Sequence, residues 1–198
     1  MDRILIQAVT VSVALLVGFL GRSLLLRHLA VCLLAFIAYG MLQDQISVRF
    51  CPDYFTRAHA PIPGVDHPTL LALLWGFLGG WPGGLAAGIA VGLSATIGKR
   101  PPRTIRQLRN PLILLLLGMA VNTLLVGCIT ARTVDVLGLE LGEPWRLGLP
   151  AEQRQAMIIL TAAHLTTYST AVLGTVLICG WTIWQRRQAD PSAPSLES

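Results

Sequence analysis

The chain has 198 residues, 54% hydrophobic and only 13% charged, where a soluble domain carries about 25% charged residues. That composition sets a soluble globular fold aside in favour of a polytopic membrane protein. The net charge of +5 does not by itself indicate a nucleic-acid partner, because Lys and Arg of membrane proteins collect in cytoplasmic loops.

A helix needs roughly 20 apolar residues to cross a hydrocarbon core of about 30 Å. The first candidate is 4–20 (ILIQAVTVSVALLVGFL). Arg3 ahead of an apolar stretch imitates a signal peptide, but no A-x-A site follows and a second apolar run comes at once, so a retained helix is expected. The second candidate, 29–46, is separated from the first by GRSLLLRH, whose Arg22, Arg27 and His28 read as a turn among headgroups. Its apolar part is short, so the helix is expected to continue through Gln43 and to place Asp44 at the membrane boundary.

A polar segment follows, QDQISVRFCPDYFTRAH over 43–59. Gln45 and Arg49 are four apart on the continuing helix, and Pro52 starts a short interfacial helix carrying Asp53, anchored by Tyr54 and Phe55. His59, Asp66 and His67 lie in a Pro-rich return. Cys51 is the one cysteine in a polar setting, with no resolving thiol beside it. Cys32, Cys128 and Cys179 sit in apolar runs as small hydrophobes.

The third candidate, 69–97, carries glycines at 76, 80, 84, 88 and 92. Residues four apart line one ridge of a helix and let a neighbouring backbone approach closely. The ridge is expected to pack inside the bundle or between two copies of the chain; a smooth path for a lipid or ion is the functional alternative. Pro82 removes one backbone hydrogen bond and is expected to kink the helix, or to break it as in transporters. The fourth candidate is 111–129. The connection over 130–155 is mildly acidic, with Asp135, Glu140, Glu143 and Glu152, and contains Trp145. Pro150 and Glu152 open the last helix, whose span is expected over 156–184. The tail, 188–198, is polar, rich in Pro and Ser, and expected to be disordered.

Five spans put Arg22, Arg27, Lys99, Arg100, Arg103, Arg106, Arg109, Arg186 and Arg187, nine of the fifteen basic residues, on one side. The positive-inside rule makes that side cytoplasmic. Residues 98–110 and the C-terminus then face the cytoplasm, and 43–68 and 130–155 face outward. The nucleic-acid reading loses its support. The basic loop also suits anionic headgroups, although orientation alone accounts for it.

No G-x-S-x-G, H-E-x-x-H, Walker loop or dinucleotide fingerprint is present. On the last helix Thr161, His164, Tyr168 and Thr175 are spaced by three, four and seven, so they share a face near the outward end. Ionisable residues at such depth face the bundle interior or a cavity and have partners. Asp44, Arg49, Asp53 and His59 lie at the same level. Such a set suits Zn or another divalent metal, with Asp53, His59 and His164 as ligands. It equally suits acid–base work or a proton relay, or a structural latch in which Arg49 pairs with Asp44 or Asp53 and His164 bonds Tyr168 or a carbonyl.

At D-Q-I-S-V-R followed by D-Y-F-T-R-A-H the chain resembles a group of small bacterial polytopic membrane proteins of unassigned function. Their pattern is D-Q-x-S/T-x-R, then E/D-Y-F-T, often a His, and A-H-x-x-x-Y in the last span. The likeness continues through PTLLALLWG and the Arg-rich loop and covers roughly 35–187. It implies an architecture and a set of site residues: Asp44, Gln45, Ser47, Arg49, Asp53, Tyr54, Phe55, Thr56, His59, His164 and Tyr168. Asp53 stands where the pattern more often has Glu, Pro82 and the dense glycines depart from a Trp-rich pattern, and the run at 4–20 is an addition to it.

The expectation is an all-α polytopic transmembrane helical bundle in a bacterial-type inner membrane, a single domain over 1–187 with five spans, or four if 4–20 does not cross. Its site faces outward. Asp44, Arg49, Asp53, His59, His164 and Tyr168 are the catalytic candidates, with Arg49 holding an anionic group and Tyr168 orienting His164. Whether it is an enzyme is left open by the residues. The expected partners are the bilayer, a lipid headgroup, and a second copy docked through Gly76, Gly80, Gly84, Gly88 and Gly92. An assembly protein and a small transporter hinged at Pro82 are the alternatives.

Overall fold

The computed structural model describes residues 2–143 and 148–189. Trp145, the 190–198 part of the tail and the side chain of Glu152 lie outside the described residues. Six helices and no strand occur among the described residues: α1 (Asp2–Leu20), α2 (Leu24–Phe50), α3 (Pro52–Thr56), α4 (Pro68–Thr96), α5 (Ile105–Thr133) and α6 (Ala151–Gln188). All but α3 are long and apolar enough to cross a membrane, α1 included.

Local chemistry moves several boundaries outward from the apolar runs. Helix α2 begins at Leu24, five residues before the apolar run, because Ser23 caps it and accepts from the Leu26 amide at 3.5 Å. Arg27 and His28, expected in a headgroup turn, are therefore helical; Arg27 donates to Gly21 O (3.2 Å) and His28 Nδ1 to Leu24 O (2.6 Å). Helix α5 begins at Ile105 rather than at Pro111, because the side chain of Gln107 accepts from the Thr104 amide (2.9 Å) and closes the first turn. Pro111 thus lies inside α5, and Arg106 and Arg109 belong to its first turns instead of a loop. Helix α4 runs unbroken across Pro82. The five-residue α3 starts at Pro52, where the missing amide costs nothing.

The most extensive helix pair is α2 with α4, followed by α5 with α6. The glycine ridge makes the first pair. A Cβ built on Gly76 would lie 2.6 Å from Met41 Cα, on Gly80 2.7 Å from Phe36 O, on Gly84 2.8 Å from Leu33 Cα, and on Gly88 2.7 Å from Leu29 Cα. Gly40 reciprocates from α2, its Cβ position being 2.6 Å from Gly76 O. At Gly92 the neighbour is the Leu25 side chain, at 2.7 Å. The ridge is occupied by the chain's own α2, so the face expected to dock a second copy is closed within the molecule. Helix α1 is peripheral: it packs on α2, with Val11 against Leu33 and Ile37. The main core lies among α2, α4, α5 and α6, around Val91, Leu108, Leu115, Met119 and Ile178.

One end of the bundle is fastened by Arg186, which is 5% exposed. Its guanidinium donates to Ser94 O and Ile97 O (both 2.8 Å), Arg100 O (2.8 Å) and Pro101 O (3.0 Å). It thereby satisfies carbonyls that the end of α4 and the following turn leave unpaired. Arg103 reaches back to Gln185 O at 3.3 Å. The arginines of this end therefore shape the turn as well as charge it.

The contact at Gly84 sets a test. Gly84→Leu, which forces α4 off the α2 backbone, is expected to cost about 3 kcal/mol in detergent unfolding. Gly118→Leu, on α5 with nothing within 4 Å of its Cβ position, should change stability by no more than about 0.5 kcal/mol. Equal effects of the two would show that the ridge does not carry the packing.

Candidate functional site

Asp44 and Ser47 are three residues apart on the last turns of α2 and therefore point the same way. They face His164, in the first half of α6. His164 Nε2 lies 3.3 Å from Ser47 Oγ and 3.6 Å from Asp44 Oδ1. All three residues are buried, at 5–7% exposure. Both oxygens approach the same ring nitrogen, which separates this cluster from a Ser-His-Asp relay, where the hydroxyl and the carboxylate take opposite nitrogens. It is a site where one nitrogen chooses between two oxygens.

Helix α3 and the chain after it cover the cluster with rings. The Tyr54 ring lies over His164 at 4.8 Å between centroids, and meets His59 edge-on at 4.8 Å. His59 stacks on Phe55 at 5.8 Å and leans on Trp75 of α4 at 4.4 Å. His59 Nδ1 is 2.8 Å from Tyr54 O. A carbonyl only accepts, so Nδ1 carries the proton and the neutral ring keeps its lone pair on Nε2. Burial lowers the His59 pKa, outweighing the Tyr54 carbonyl, which acts the other way. Burial pushes the Tyr54 phenol up, with the charges of Tyr168 and Asp44 adding to it, so Tyr54 keeps its proton.

Beside the cluster lies a cleft with about 60 Å³ of open space. Gly79 and Gly83 floor it: a Cβ on Gly79 would meet only Tyr168 Oη at 3.3 Å, and one on Gly83 only the Phe36 ring, at 3.4 Å. Tyr168, 53% exposed, stands at its rim. Thr167 donates to Gln43 Oε1 (2.9 Å) or to Ala163 O (3.2 Å), and lies 2.6 Å from Thr123 Oγ1. Since Thr167 has one hydrogen, Thr123 is the donor whenever Thr167 serves either acceptor. This chain ties α2, α5 and α6 together at the depth of the cleft.

The structure brings Asp44, Ser47, Tyr54, His59, His164 and Tyr168 into one region. It turns others elsewhere. Arg49 donates to Gln45 O and Oε1 on the exposed side of its own helix and does not line the cleft. Gln45 in turn donates to Thr69 O (3.1 Å). Asp53 is paired with Arg57 at 3.1 Å, and Arg57 also donates to Gly148 O (2.9 Å), fastening α3 to the chain before α6. Of the three residues expected as metal ligands, His59 and His164 both meet the Tyr54 ring while Asp53 is held by Arg57; among the described residues no group of three or more His, Cys, Asp and Glu side chains is arranged to hold a metal ion. His164 finds Ser47 and Asp44 rather than Tyr168. Thr161 is exposed and bonds its own helix at Met157 O (2.8 Å), and Thr175 is buried further along α6. Asp66 and His67 are exposed.

Gln43, Thr123, Thr167 and Trp75 were not singled out from the sequence. Thr167, three residues after His164, carried a usable signal in its spacing; Gln43 and Thr123 carried none beyond being polar in apolar runs. No protein-family model, curated protein or solved structure matches the chain.

The His59 shift has a definite sign. Its folded pKa is lowered, so its contribution to stability is present above the ordinary value of about 6.5 and is lost as pH falls through and below it. Melting temperature should therefore drop more steeply between about pH 7.5 and 5 in the native chain than in His59→Asn; parallel slopes would count against this. Cys51 is 0% exposed and burial raises its thiol pKa. In folded protein a water-soluble maleimide should spare Cys51 until denaturant is added; labelling of Cys51 at the same rate with and without denaturant would contradict the closed packing around it.

Proposed function

We propose that the chain is a bacterial-type inner-membrane protein whose functional centre is the Asp44–Ser47–His164 cluster, facing outward, and that the cluster takes up and releases a proton at His164 Nε2 in step with a group bound in the cleft. The orientation rests on the basic residues at the Arg186 end and the positive-inside rule. The resemblance to small bacterial membrane proteins, through D-Q-I-S-V-R and A-H-L-T-T-Y, agrees with it.

One observation carries this reading: Ser47 and Asp44, from α2, share a single nitrogen of a histidine on α6. With Nε2 deprotonated, the Ser47 hydroxyl donates to it and Asp44 is comfortable only as the acid. With Nε2 protonated, Ser47 accepts, and the imidazolium neutralises the carboxylate. A hydroxyl that donates in one state and accepts in the other lets one proton move between Asp44 and His164 Nε2 with Ser47 bonded throughout, and loss of that proton to solvent leaves a carboxylate beside the neutral ring. Tyr54, which keeps its own proton, covers the ring without competing for the charge.

The assembly reading has less support, because α2 occupies all the glycines through which a second copy would dock. A transporter built on a broken third span also has less, since α4 continues through Pro82; one hinged at a Pro82 kink stands as the alternative.

Infrared difference spectroscopy across a pH step, with the protein in lipid nanodiscs, tests the proposal. A carboxyl band that disappears in Asp44→Asn and moves in His164→Gln is expected. A spectrum without such a band, or one indifferent to both substitutions, would overturn it.

A further inference from the structure

From the chemistry of the cleft beside Asp44 we infer that the group it binds is a small methylated ammonium cation; the inference rests on the functional reading above and names its ligand class. The charge balance comes first. The residues lining the cleft include one carboxylate, Asp44, and one imidazole, His164, and no Lys or Arg. The nearest arginine in sequence, Arg49, is bound to Gln45 on the exposed side of α2. A cleft of this composition repels anions and offers a cation its one countercharge.

The walls select the kind of cation. Phe36, Tyr39, Trp75 and Tyr168 line the same space, and the negative faces of aromatic rings attract positive charge most strongly where water is displaced. A bare metal ion or a primary ammonium needs several oxygen acceptors. Those within reach are largely engaged: Gln43 Oε1 accepts from Thr167, and the backbone carbonyls of α2 and α4 serve their own helices except at Leu78, whose helical donor Pro82 lacks. A methylated ammonium needs no hydrogen-bond acceptor, only rings and a carboxylate. The open volume of about 60 Å³ has room for roughly four to six water-sized groups, the size of a tetramethylammonium ion. Gly79 and Gly83 leave this room, since any side chain there would project into it.

The cation and the proton compete. When the ammonium enters, Asp44 is held as the carboxylate by the new charge, and the proton shared with His164 Nε2 leaves to solvent; when the ammonium departs, a proton returns. The other titratable groups facing the pair are Tyr54 from α3, His59 from the following chain and Tyr168 from α6, none of them anionic while protonated or neutral.

The test is calorimetric titration of the full chain in nanodiscs with tetramethylammonium chloride, beside tert-butyl alcohol as a neutral molecule of similar shape. Saturable binding of the cation alone is expected, with proton release that scales with buffer ionisation enthalpy, and weaker binding as pH is lowered. Asp44→Asn should weaken it by at least about tenfold. Gly79→Val, which fills the cleft and leaves every charge in place, should abolish it while the pH-dependent carboxyl band persists. This variant decides the matter if Asp44→Asn does not fold. No saturable binding, equal binding of the alcohol, or unchanged binding in Gly79→Val overturns the inference. A carboxyl band that answers to pH but not to tetramethylammonium would leave proton exchange standing and remove the cation.

Discussion

Helix α4 lies on α2 backbone to backbone, and the position of the cleft follows from that contact. With 3.6 residues per turn, the glycines four apart at 76, 80, 84 and 88 form the touching ridge. Gly79 and Gly83 are turned roughly 60–100° away from it, over the gap that α6 closes from the other side. On α2, Gly40 makes the reciprocal contact, and Gln43 and Asp44, one turn further on, line the same gap. Larger residues on the ridge would move α4 outward, carry Trp75 away from His59, and leave Asp44 facing lipid. In a bilayer the hydrophobic effect does not press helices together, so close van der Waals approach of this kind has to hold the pair.

The two ends of the bundle are fastened differently. At the arginine-rich end the bonds of Arg186 are buried or nearly so, and they join α6 to the end of α4 and the next turn. At the other end several ties are exposed: Arg57 to Asp53 and Gly148, and Gln155 to Asp135 at 3.2 Å. Exposed bonds compete with water and open at lower free energy. The cleft lies toward the end that yields more easily, as the proposed exchange of ligand and proton requires.

Much of the architecture was legible because its signals are local. The apolar runs located the five long helices, and Pro52 announced α3. Capping chemistry at Ser23 and Thr104, which extends α2 and α5 past their apolar runs, is equally local but is hidden when polarity alone is read. The site was legible in part. Asp44 and His164 stood out as ionisable groups in apolar surroundings, but the rotation of α6 did not: with lipid on one side and protein on the other, both faces of a helix are apolar, so periodicity does not reveal the inward one. Spacing from His164 thus points Thr161 inward as readily as Thr167, though only Thr167 is buried. Arg49 and Asp53 misled for a different reason. Each satisfies its charge four residues away on its own helix, a pairing that spacing permits but does not require.

The electrostatics of Asp44 set this place apart from the other polar positions. A carboxylate inside an apolar bundle is costly unless it is paired and hydrogen-bonded, yet its approach to His164 Nε2 is 3.6 Å, beyond the range of a good hydrogen bond. The closest partner of that nitrogen is instead Ser47, at 3.3 Å. A purely structural latch would have drawn the acid and the imidazole together, as Asp53 and Arg57 are drawn together at 3.1 Å. Here the acid is near enough to feel the imidazole's charge and far enough to accept another, with open space and four aromatic rings beside it. An under-satisfied carboxylate held next to an unfilled cleft is costly in the resting protein, and that cost falls when a proton or a cation arrives.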